Sequence, residues 1–61
     1  MVLNLKMLRH FHGLNQQKAA EKLNVSISTI SNWENGKSYP DAMEIKRIEK
    51  LYDTKFEDIL F

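Results

Sequence analysis

The stretch Gln16–Gly36, QQKAAEKLNVSISTISNWENG, decides how the rest of the chain is read. Gln16–Leu23 is built from good helix formers, and Asn15 just before it has the side chain of an N-cap. Asn24 interrupts that pattern. A short polar Asn tolerates the left-handed backbone that ends a helix and turns the chain, so a helix end is expected there. Val25 follows as an apolar anchor, and Ser26 is placed to cap a second helix. The expectation is two short helices joined by a tight turn.

The second helix can be tested by angle, because each residue advances about 100° around a helix axis. With Ile27 at zero, Ser31, Asn35, Ser28 and Asn32 fall at about 40, 80, 100 and 140°, while Thr29, Trp33, Ile30 and Glu34 fall at about 200 to 340°. The first face is short, uncharged and rich in hydrogen-bonding groups; the second carries Ile30 and Trp33 and must meet a core. A face that is merely solvated normally carries Lys and Glu. Side chains this short suit a helix lying close to another surface, and two such helices in this order have the layout of a helix-turn-helix.

Gln16, Ala20, Asn24, Ile30, Trp33 and the run Glu34-Asn35-Gly36 together resemble the Cro and lambda-repressor-like helix-turn-helix family, also called the xenobiotic-response-element family. The resemblance extends across nearly the whole chain. It implies that Ala20 is the small residue where the two helices cross and that Leu23, Val25, Ile30 and Trp33 pack the unit together. Two positions depart from the usual pattern: Asn24 stands for a turn Gly, and Ala19 for a frequent Leu. Neither changes the expected fold.

The chain has 61 residues, which allows one domain (1–61, with the helix-turn-helix unit at about 16–35) and a small core. With no Cys, disulfides are excluded; no metal framework is visible, and no cofactor or small-molecule ligand is expected. There is no long apolar run and no signal-peptide pattern, so a soluble, cytoplasmic chain without a membrane partner is expected. The net charge of +1 is itself weak evidence for a nucleic-acid partner. Its distribution says more. Five basic residues (Lys6, Arg9, Lys18, Lys22, Lys37) against two Glu make Met1–Ser38 positive, whereas four basic and six acidic residues make the remainder negative.

Ahead of the quoted stretch, Asn4 is a plausible N-cap for a helix running to Gly13, with Leu3 and Leu8 in the staple positions that flank a helix start. Whether Met1–Leu3 is extended or helical is left open. Leu5, Leu8 and His12 share one side of that helix, Arg9 lies at its edge, and Leu14 continues the core. Met7 and Phe11 lie on a different side, where partial exposure is the favoured reading. Downstream, Lys37-Ser38-Tyr39-Pro40 reads as a loop, and Asp41 with Glu44 as a capping signal for a fourth helix to about Tyr52, with Ile45, Ile48 and Tyr52 inward. Asp53 breaks it. Thr54 with Glu57 repeats the capping signal for a short fifth helix carrying Phe56, Ile59 and Leu60. The predicted fold is therefore all-α, a compact five-helix bundle with no strand.

Catalysis is not expected. His10 and His12, at i and i+2, point about 200° apart on a helix and cannot chelate one ion. Adjacent Glu57 and Asp58 are better explained as first-turn charges favoured by the helix dipole. No nucleophile–base pair and no phosphate loop are present. The expected function is a sequence-specific double-stranded-DNA-binding transcriptional regulator, and the resemblance implies a repressor. Ile27, Ser28, Ser31 and Asn32 are the candidate base readers: Asn32 matches the adenine edge, the Ser hydroxyls donate or accept, and Ile27 suits a thymine methyl. The resemblance further implies that Gln16, Gln17, Asn35, Lys37 and Ser38 touch phosphates and that Arg9 and Glu34 form an ion pair. A single half-site carries too little specificity, so a homodimer on a palindromic operator is expected, with Phe56, Ile59, Leu60 and Phe61 as interface candidates. The competing reading is a protein-interaction module on the same fold that does not read DNA.

Overall fold

The computed structural model describes residues 2–61. A two-residue strand, β1 (Leu3–Asn4), leads into α1 (Leu5–Phe11), followed by α2 (Gln16–Leu23), α3 (Ile27–Glu34) and α4 (Ala42–Tyr52). A single 3₁₀ turn (Phe56–Asp58) then delivers β2 (Ile59–Leu60). β2 pairs in parallel with β1, Leu3 opposite Ile59 and Asn4 opposite Leu60.

The same local chemistry punctuates every helix. At the starts, Asn4, Asn15, Ser26 and Asp41 sit in extended backbone, and each side chain accepts the N–H three residues on, from Met7, Lys18, Thr29 and Glu44. At α4 the Glu44 side chain returns the bond to the Asp41 N–H, a complete capping box. At the ends, Gly13, Asn24, Gly36 and Asp53 all have positive φ. Left-handed residues there let the next N–H groups fold back onto carbonyls that the helix leaves unpaired: Leu14 onto Arg9, Val25 onto Ala20, Lys37 onto Asn32 and Thr54 onto Glu49.

The expected five-helix bundle is corrected to four α-helices, among the described residues, plus a 3₁₀ turn and a minimal parallel sheet. The capping signal at Thr54 does not operate. Lys55 is the residue preceding the turn, with extended backbone and no side-chain cap, and the Phe56 N–H goes instead to Glu49 Oε2 at 2.8 Å. Ile59 is buried, and its neighbours Leu60 and Phe61 are exposed. A chain that must bury Ile59 beside Leu3 within so few residues turns extended and pairs rather than completing a helix. Leu3 is thus extended; Met1 lies outside the described residues.

The core gathers Leu5 and Leu8 of α1, Ala19, Ala20 and Leu23 of α2, Ile30 and Trp33 of α3, Ile48 and Tyr52 of α4, and Ile59. Leu3, Leu14, Val25 and Leu51 close its margins. Ala19 is wholly buried, so the small residue there marks close packing of α2 on its neighbours. Ile45 is only half-buried and His12 is exposed, each further out than the expected apolar stripes put them.

Candidate nucleic-acid interface

The turn between α2 and α3 is built from backbone. Asn24 adopts φ 58° and ψ 46°, its N–H reaches the Glu21 carbonyl at 3.3 Å, and the Val25 N–H reaches Ala20 at 3.0 Å. Ser26 then caps α3 through the Thr29 N–H at 3.0 Å, and its hydroxyl also meets that of Thr29 at 2.9 Å. Ile30 and Trp33 anchor the inner face of α3 in the core. Ile27, Ser28, Asn32 and Asn35 are exposed on the other side, and Ser31 is half-buried between them. The structure brings the four candidate base readers onto one uncharged face of an eight-residue helix.

Of the candidate phosphate ligands, Gln17, Asn35 and Lys37 are exposed, whereas Gln16 and Ser38 are half-buried. Lys37 and Ser38 are tied to α3 by main-chain bonds: both N–H groups converge on the Asn32 carbonyl, at 2.9 and 3.4 Å. Gly36 makes that possible at φ +71°, its N–H returning to Trp33 at 3.3 Å. The loop therefore moves with the helix whose face it flanks. At the other edge the amide of Gln16 donates to Glu34 Oε1 at 3.3 Å, which holds the start of α2 against the end of α3. The Gln16 and Gln17 N–H groups, in the first turn of α2, have no partner within that helix.

Beneath this face, Arg9 of α1 meets Glu34 of α3 through two parallel bonds, Nε to Oε2 at 2.7 Å and Nη2 to Oε1 at 3.1 Å. Nη1 donates to the Leu14 carbonyl at 3.0 Å. The two side chains are only 7% and 5% exposed, so a lone charge left here would be costly. No buried side-chain nitrogen or oxygen lacks a partner among the described residues. Its hydrogen bond to Glu34 raises the Arg9 pKa further, against the effect of burial. For Glu34 burial opposes ionisation, but hydrogen bonds from Arg9 and Gln16 and the nearby positive charge outweigh it and hold the carboxyl below its ordinary value. Burial, with a lesser effect of the Glu34 charge, pushes the Tyr52 phenol up to about 12.

The carboxy-terminal candidates divide. Phe56, Leu60 and Phe61 are exposed, but Ile59 is 7% exposed and belongs to the core, which removes it from any surface. Sequence reasoning missed Tyr39, whose exposed ring stands 6.3 Å from that of Phe61, itself 5.9 Å from Phe56. The loop residue and the chain end give no local signal that they meet. On the far side, His12 Nε2 lies 3.0 Å from the Tyr52 carbonyl, a contact in which the ring nitrogen donates. No helix among the described residues is long and apolar enough to cross a membrane.

No solved structure matches the chain. It is similar to the HTH-type transcriptional activator BcrR of Enterococcus faecalis, 39% identical over 56 residues that cover 92% of this chain and 28% of that protein. It is also similar to an uncharacterized HTH-type transcriptional regulator of Methanocaldococcus jannaschii, 42% identical over 55 residues that cover 90% of this chain and 83% of that one. A helix-turn-helix family model matches residues 5–59. With that match enclosing α1 to the 3₁₀ turn, the chain belongs to the helix-turn-helix family of Cro/C1 type, a family of transcription regulators and not of enzymes.

Proposed function

We propose that this chain is a sequence-specific double-stranded-DNA-binding regulator of transcription that inserts α3 into the major groove. The observation that carries the reading is the exposed face of α3, short, polar and uncharged, on a helix whose other face is locked into the core. A major groove about 12 Å wide admits such a helix, and groups of this length reach base edges only by close approach. Ile27, Ser28, Ser31 and Asn32 read bases; Gln16, Gln17, Asn35, Lys37 and Ser38 set the register on phosphates. The names of the relatives, both regulators of transcription, support the same reading.

Two copies related by a two-fold axis would read a palindrome, with half-sites about one helical turn apart. The exposed rings of Tyr39, Phe56 and Phe61, with Leu60, are the surface that favours pairing. A domain seated across a promoter blocks the polymerase, and the resemblance to the Cro and lambda-repressor-like family is what supports reading this one as a repressor. That same aromatic patch supports the second reading, a protein-interaction module, because contiguous exposed apolar surface marks binding sites. Selection of bound duplexes from a random pool separates the two. A shared, two-fold symmetric sequence is expected; recovery of duplexes with no common sequence contradicts DNA reading.

A further inference from the structure

Among the base-reading candidates, the serine hydroxyls are chemically ambiguous, since each carries one donor and two acceptor positions and can face either kind of base edge. For Ser31 the ambiguity is narrowed from within the protein. Asn35, one turn further on, directs Nδ2 at Ser31 Oγ over 3.3 Å. An amide nitrogen only donates, so this contact occupies one of the two lone pairs, keeps the proton free for another partner and leaves a single acceptor position. The launching point of Asn35 is itself fixed to the same residue: its backbone N–H donates to the Ser31 carbonyl at 3.0 Å. A serine within a helix often spends its proton on the carbonyl one turn back, yet the amide of Asn35 is the hydrogen-bond partner of the Ser31 side chain among the described residues.

We infer that Asn35 is a specificity-determining positioning residue, biasing Ser31 towards donation so that α3 favours a base whose major-groove edge accepts. This rests on the DNA reading proposed above, and it gives Asn35 a role other than phosphate contact. An outward-pointing proton suits guanine, with N7 and O6, or thymine, with O4, better than cytosine, whose N4 amino group is a donor and is left only the second lone pair. The polarity can be reversed without changing the shape of the side chain. In Asn35→Asp the carboxylate only accepts, so it takes the Ser31 proton and turns the lone pairs outward.

The test uses the full chain and duplexes carrying each of the four base pairs at the position where Ser31→Ala alters preference, titrated at one salt concentration. Wild type is expected to favour guanine or thymine over cytosine by about five- to tenfold, the size of one well-placed hydrogen bond. Asn35→Asp should invert that ratio in favour of cytosine, and Asn35→Ala should reduce it to less than about twofold, the loss of one oriented contact. Added negative charge weakens binding to every duplex alike, so it cancels in the ratio. Both positions are solvent-accessible, and thermal melts confirm that the variants compared are folded. An unchanged ratio in both variants, or no base pair that responds to Ser31→Ala, overturns the inference and leaves DNA reading intact. A wild type with no preference among any duplexes overturns both.

Discussion

Arg9 and Glu34, 25 positions apart in the chain, meet in a two-point ion pair that bolts the first helix to the end of the third. The pair is nearly sealed from solvent, so each charge depends on the other. Glu34→Gln is expected to cost about 2 to 3 kcal/mol, because the guanidinium stays buried without its counter-charge. Arg9→Met combined with Glu34→Leu should cost less than the two single changes added together, since no charge is stranded. Denaturant melts of the cycle decide it, additive losses being the contrary result. The sign with pH follows from the lowered Glu34 pKa. This stabilisation is fully present above the unfolded carboxylate value, about 4.3, and disappears as the pH falls through the lower folded value. The gap between wild type and Glu34→Gln should therefore close on acidification.

Tyr52 sets the opposite limit. Its folded pKa, raised to about 12, means that the neutral phenol is what the core accepts. Its contribution is fully present below the unfolded value near 10 and is lost as the pH rises from there through about 12, at no more than about 1.4 kcal/mol per pH unit. Tyr52→Phe should remove this slope. Alkaline melts of the two proteins that run parallel between those limits would contradict it.

Asp53 ends α4 at φ 49° and ψ 53°, a non-glycine residue in left-handed backbone whose carboxylate also faces the negative end of the helix dipole. Asp53→Gly removes both penalties and should stabilise the protein by about 0.5 to 1 kcal/mol, raising Tm by a few degrees. A lower Tm would mean that the carboxylate makes a contact more valuable than the relief.

The chain end separates packing from pairing, residue by residue. Ile59→Ala opens the core and should cost about 2 to 4 kcal/mol in any melt. Leu60→Ser alters an exposed side chain and should change the melting of the monomer by less than about 0.5 kcal/mol, whereas Phe61→Ser also gives up its ring contacts with Tyr39 and Phe56 and should cost about 0.5 to 1.5 kcal/mol. If the aromatic patch joins two copies, the same changes shift sedimentation towards the monomer. A wild type that sediments as a monomer at high concentration and on duplex DNA would remove the dimer.

Much of this architecture is legible because it is written in local chemistry. The caps at Asn4, Asn15, Ser26 and Asp41 and the stops at Gly13, Asn24, Gly36 and Asp53 each act over four or five residues, so single side chains announce them. The division of α3 into a polar face and an Ile30–Trp33 face is legible for the same reason. The pairing of Leu3–Asn4 with Ile59–Leu60 is not: two-residue strands have no period, and their partners lie at opposite ends of the chain. The signal at Thr54 and Glu57 misled because a capping motif reports only that a helix could start. What followed was decided by the burial of Ile59 and by Glu49 taking the Phe56 N–H. Tyr39 against Phe61 is invisible to local reasoning for the same long-range cause.

The roles proposed for α3, reading base edges, and for the flanking loop, holding phosphates, respond differently to substitution. Lys37→Ala should weaken binding to all duplexes alike and make the salt dependence shallower by about one unit, the loss of one phosphate contact. Asn32 stands on the exposed face and is held there by its own carbonyl, which accepts from the loop. The most direct measurement is a titration of wild type and Asn32→Ala against the selected operator and its single-base variants at fixed salt. A loss of about 1 to 3 kcal/mol on the preferred site, with much less on the duplex substituted at one base pair, is the predicted result. Equal losses on every duplex would contradict base reading by Asn32.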